Sequence, residues 1–178
     1  MKNILILLVL VSFSTSAQNK FLTKVGLIHF EASVPSFEEV AAKNNSVTAI
    51  INTENGEIAA LALVKGFRFK NALMEEHFNE NYAESDKYPK ATFKGKIENF
   101  DLKGTETTYI LNGELSFHGK TKAINNISIK VSVIGSKITL QGEFSAKASD
   151  FDIEIPKIVS NKITEDINIS FQFELLEK

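Results

Sequence analysis

Glu76–Gly95, EHFNENYAESDKYPKATFKG, holds a histidine, two tyrosines, clustered acids, a Tyr-Pro step and then a strand-like alternation. It is either a reactive site built on His77 and a neighbouring carboxylate, or a helix and corner that hold other elements in place. Local signals favour a short helix. Asn71 suits an N-cap, and Leu73, His77 and Asn81 fall on one helical face with Met74, Phe78 and Tyr82 beside them. The absence of β-branched residues and the acids Glu75 and Glu76 in the first turn support it. Ser85-Asp86 and then Pro89 stop it.

Outward from this stretch the pattern is strand after strand, with apolar residues alternating at a period of two. Upstream, strands are predicted over Lys20–Ala32, Val47–Thr53 and Glu57–Phe69, the last two joined at Asn55-Gly56, a hairpin signal that asks both central residues for positive φ. Between the first two, Val34–Asn44 opens with Pro35 and pairs Ser36 with Glu39 at capping-box spacing, which predicts a second short helix or helical turn. Downstream, Ala91–Phe100, Thr107–His118, Ala123–Val133 and Lys137–Ala146 alternate in turn, and after a loop at Ser149–Pro156 a last strand carries Ile167, Ile169, Phe171, Phe173 and Leu175. That makes eight strands with almost every link short, so neighbours pair antiparallel and one face is solvated. Closing such a meander into a barrel hides its edges. The expected fold is therefore an all-β, eight-stranded antiparallel barrel with one or two short helices, a two-sheet sandwich being the alternative.

The first seventeen residues read differently. Met1-Lys2-Asn3 is a short positive start, Ile4–Val11 is wholly aliphatic, and Ser12–Ala17 is small and polar. This order predicts a secretory signal peptide at 1–17, cut before Gln18. The apolar run falls short of the about twenty residues that span a bilayer. Residues 18–178 then form one domain, and the expected location is periplasmic or secreted. The chain has no cysteine, so its stability must come from a packed core rather than from disulfides. With 20 basic against 22 acidic residues and no basic stripe, nothing marks a nucleic-acid surface.

Candidate chemistry is sparse. His29, His77 and His118 stand in no zinc-ligand spacing, so no metal and no cofactor are expected. No GxSxG elbow is present. The carboxylates Glu75, Glu76, Glu80, Glu84 and Asp86 read as a solvated helix face more readily than as an acid–base pair, and His77 as a ring that seals the helix against the barrel and hydrogen-bonds a strand end. No catalytic residue is assigned; the best enzyme alternative is His77 with Glu80 or Tyr82. What these readings leave over is 14 phenylalanines and no tryptophan. Phe93, Tyr109, Leu111, Phe117 and Phe144 share the apolar parity of their strands, and a closed barrel points all five inward. Gly95, Gly113 and Gly142 interrupt the same faces, either as bends or as room for a long apolar guest. The five are the candidate ligand-binding residues. A solid core with a protein- or glycan-binding surface is the other alternative.

Three blocks of the chain resemble the YceI-like family. The first holds His77, Phe78, Tyr82, Asp86, Tyr88, Pro89 and Phe93. The second is a hairpin with Gly113, Leu115, His118, Gly119, Thr121 and Lys122. The third, weaker block reads Asp150-Phe151-Asp152 where the family has Asp-Phe-Gly, and Val34–Asn44 is more compact than the family's paired region there. The resemblance implies a lipocalin-like barrel, exported, whose interior holds an isoprenoid such as a quinone tail or another long-chain lipid. It implies no enzyme activity, and histidines that serve as framework. A homodimer stays open.

Overall fold

Period-two alternation through most of the chain becomes a single closed sheet. The computed structural model describes residues 19–34, 39–102 and 106–178; the predicted leader at 1–17 and the start of the predicted turn at Pro35 and Ser36 lie outside them. The strands are β1 (Lys20–Ser33), β2 (Ala41–Asn52), β3 (Glu57–Leu63), β4 (Arg68–Phe69), β5 (Lys90–Ile97), β6 (Glu106–Phe117), β7 (Lys120–Ile134), β8 (Lys137–Lys147) and β9 (Ile163–Glu177). The order β1-β9-β8-β7-β6-β5-β3-β2 returns to β1 through a β1–β2 pairing, and every pairing is antiparallel. Eight long strands thus close a barrel. β4 adds two further residues against Ala42 and Lys43 of β2.

Three local expectations are corrected. Ala41–Asn44 is strand rather than helix, because β1 offers it a full ladder, with Glu31 opposite Ala41 and Ile28 opposite Asn44. The predicted strand Glu57–Phe69 breaks at Val64–Gly66 into a 3₁₀ turn. There the Leu63 carbonyl accepts from Asn44 Nδ2 (3.0 Å) and the Val64 N–H donates to the Pro89 carbonyl (3.0 Å), so both groups find partners outside the ladder. The Asn55-Gly56 link is a longer loop in which only Gly56 takes positive φ (74°), with its N–H donating to the Asn52 carbonyl. The two-residue turn with positive φ at both centres occurs instead at His118 (49°) and Gly119 (75°), between the paired Phe117 and Lys120.

The helix falls where predicted. α1 (Ala72–His77) is capped by Asn71, whose side chain accepts from the N–H groups of Leu73 (2.9 Å) and Met74 (3.4 Å), and a π-helical turn continues it over Phe78–Tyr82. Glu75 accepts from Arg68 (2.9 Å) and from the Phe69 N–H (3.1 Å), which pins α1 to β4. The helix lies at one end of the barrel. The interior toward the other end is solid: Val47, Ala49, Ile51, Ile129, Ile138, Leu140 and Leu175 are wholly buried. Each of the valine, isoleucine and leucine side chains among them contributes about 1.5–3 kcal/mol by leaving water.

Candidate functional site

Strand parity sends one side chain in two into the barrel, but those chains fill only one half of it. The other half, toward α1, contains a cavity of about 470 Å³, within the roughly 300–1,000 Å³ of small-molecule sites. Among the described residues its wall is mostly aliphatic and aromatic and includes no carboxylate; the polar ones that reach it are Thr92, His77, Tyr82, Lys147 and Lys162. Water gains few partners in such a space, which suits it to an apolar guest.

Four of the five candidate residues, Phe93, Leu111, Phe117 and Phe144, stand in this wall. Tyr109 does not. It is half-buried beyond the cavity, packed on Phe100 (ring centroids 5.4 Å), with its hydroxyl donating to the Asp101 carbonyl. It shares the inward parity but lies at the wrong level of the barrel.

The glycines do not leave room for a guest; they seat phenylalanine rings. A Cβ at Gly113 would come within 2.5 Å of Phe93 Cζ, one at Gly142 within 2.8 Å of Phe171 Cζ, and one at Gly26 within 2.6 Å of Phe173 Cδ1. Phe144 links the rings so seated into a chain across the barrel: Phe93 to Phe144 (6.5 Å), Phe144 to Phe171 (6.4 Å), and Phe171 stacked on Phe173 (5.4 Å). Sequence reasoning placed Phe171 and Phe173 on the right face of the last strand without giving them a role.

A second aromatic group covers the α1 end. Phe78 meets Phe30 (5.4 Å), Phe67 (6.0 Å) and Phe69 (5.3 Å), all four in the cavity wall. Phe67 and Phe69 were hidden by reading Glu57–Phe69 as one strand. Their signal was the spacing of two, shared with Phe30 across β2.

The three quoted blocks meet at His118. Its Nδ1 lies 2.8 Å from the Phe151 carbonyl oxygen and its Nε2 2.9 Å from the Glu84 carboxylate, and Tyr88 packs edge-on against the ring (4.7 Å). Nearby, Lys120 pairs with Asp152 (2.5 Å) and Lys122 with Asp150 (3.5 Å). The hydrogen bond from Lys120 holds the Asp152 carboxyl below the usual range. This joint backs Phe117 and Phe151, whose rings touch at 5.9 Å and line the cavity. Glu84 and Glu75 therefore bind structure, while Glu76, Glu80 and Asp86 are exposed.

His77 is placed otherwise than expected. It is exposed at the cavity and, among the described residues, no hydrogen-bond partner accompanies it, so it does not tie the helix to a strand end. Tyr82 also reaches the cavity, whereas Glu80 does not. Proton-transfer chemistry would need a titratable pair in hydrogen-bond reach. Among the described residues no group of three or more His, Asp or Glu could hold a metal ion.

A family model described as the YceI-like domain matches residues 17–175. In fold, the chain is similar to a polyisoprenoid binding domain from Saccharophagus degradans implicated in plant cell wall breakdown, with a TM-score of 0.78 and 15% identity over 90% of this chain and 99% of that one. It is likewise similar to BcnA of Burkholderia cenocepacia (TM-score 0.70, 16% identity, 84% and 95% covered). The YceI protein of Campylobacter jejuni gives a TM-score of 0.66 at 19% identity, with 82% and 89% covered. No curated protein matches in sequence.

Proposed function

The chain belongs to the YceI-like family, and from that premise we propose that it is a binding protein that holds an isoprenoid or similar long-chain lipid in the hollow half of its barrel. The observation that carries the reading is the apolar cavity of about 470 Å³ under α1, walled by Phe93, Leu111, Phe117 and Phe144. A similar fold is a polyisoprenoid binding domain, which supports the choice of guest. Mechanism is partition: each buried CH₂ contributes about 0.8 kcal/mol, offset in part by ordering of the guest. We read the protein as exported, periplasmic or secreted, with no catalytic role.

The test is direct. Protein purified gently from a bacterial host carries an extractable isoprenoid visible by mass spectrometry, or the emptied protein takes up a labelled polyprenyl probe. A protein that extracts clean and refuses the probe would sink the reading. Phe117→Asp sets a carboxylate on the wall, where an unpaired charge costs several kcal/mol. A variant folded by near-UV circular dichroism but unable to hold the probe supports a carrier, whereas a solid core would simply unfold.

A further inference from the structure

The cavity stops partway down the barrel, and aromatic rings stop it. On β8 its wall runs from Phe144 to Lys147, about 10 Å at the usual strand rise. Leu140 and Ile138, further down the same strand, are fully buried and outside the wall. Between the two levels lies Gly142, on which the Phe171 ring is seated, with Phe173 stacked beneath at 5.4 Å. Phe93 and Phe144 complete the cross-section.

Resting on the lipid-holding reading above, we propose that Phe171, with Phe93, Phe144 and Phe173, forms a floor that sets how much of an apolar chain the protein can bury. A short isoprenoid then lies wholly inside. A longer one is gripped only by its end section, and its remaining units stay outside the barrel and add no affinity. Phe171 is the specificity-determining residue because its ring is fixed from both sides. On one side it presses on Gly142, where an added Cβ would sit 2.8 Å from Cζ; on the other it packs against Phe144 at 6.4 Å. Below it, the fully buried side chains of Ile129 and Leu140 oppose displacement of the ring by a guest.

The experiment titrates the whole emptied protein with all-trans prenols of increasing length, from geraniol through farnesol and geranylgeraniol to a long polyprenol, by competition with a fluorescent prenyl probe. Affinity should tighten by at least about tenfold per isoprene unit while the chain end still gains wall, then level off once it meets the floor. Phe171→Ala should move the break to a longer prenol. Should that variant fail to fold, Ala60→Leu gives the opposite reading: Ala60 faces the cavity beside Phe93, so the larger chain enters empty space and should move the break to a shorter prenol. Affinity that climbs without a break up to the polyprenol would overturn the floor and leave the lipid carrier standing. A break that stays put in every folded variant would do the same. Failure of every prenol to compete would overturn the carrier and the floor together.

Discussion

His118 shows how much one side chain can hold without doing chemistry. Its turn conformation has positive φ, a backbone state that histidine tolerates better than most residues, and its two ring nitrogens join Glu84 after the π-helical turn to Phe151 in the loop after β8. His118→Ala removes both contacts and takes the partner from the carbonyl of buried Phe151, while Glu84 keeps Lys87 and solvent, an expected loss of about 1–3 kcal/mol. In a domain of this size that lowers the melting temperature by roughly 2–4 °C per kcal/mol, while probe uptake persists in the folded fraction. Full stability in the variant would argue against a framework role. Asp152 adds a pH signature. Its carboxyl is held low by Lys120, so its contribution is present above the ordinary carboxylate range and disappears as pH falls through the depressed value. Melting curves of Asp152→Asn and wild type should differ slightly near neutrality and converge in acid, since the pair is exposed.

At the scale of elements, the lid and the glycine seats matter most. α1 has only six residues, too few to be stable alone; it depends on the Asn71 cap, the Glu75 tie to β4 and the contacts of Phe78. Asn71→Ala should cost about 1 kcal/mol, read by thermal unfolding, with Asn71→Asp close to wild type. The seats are stricter. A Cβ at Gly113 would meet the Lys94 carbonyl at 2.4 Å as well as the Phe93 ring, and backbone cannot swing aside. Gly113→Ala should therefore destabilise by about 1–3 kcal/mol. Wild-type stability in that variant would show that the β5–β6 pair yields where the close packing implies it cannot.

For the molecule as a whole, the division into a solid and a hollow half makes an unequal prediction. Leu140→Ala opens a hole in packed core and should cost about 2–5 kcal/mol. Phe144→Ala removes a larger side chain yet should cost less, because that ring already faces empty space and only part of its contact is lost. Denaturant melts of the two variants decide it; the reverse order would mean the cavity is packed shut in solution. Bound lipid should raise the wild type's midpoint in proportion to the logarithm of its concentration. The leader is tested by intact mass: protein from its native host should begin at Gln18, and a mature form that keeps Met1–Ala17 would refute export with cleavage.

Much of this was legible in the chain. Alternation at a period of two is a local property, so it located the long strands, their inward parity and the need to close them, and the Asn71 cap and His118-Gly119 turn are short-range chemistry as well. Parity, however, says only which way a residue points. How far down the barrel it lies depends on the register of partners remote in sequence, such as Gly142 opposite Phe171 and Phe93 opposite Ala60. That is why Tyr109, correct in direction, lies past the floor, while Phe171 and Phe173 turn out to build it. The same long-range pairing made strand of Ala41–Asn44, whose local signals favoured a helical turn. Whether a glycine beside a phenylalanine makes space or fills it was likewise decided only when the strands came together, because the ring that occupies the gap can come from a neighbouring strand.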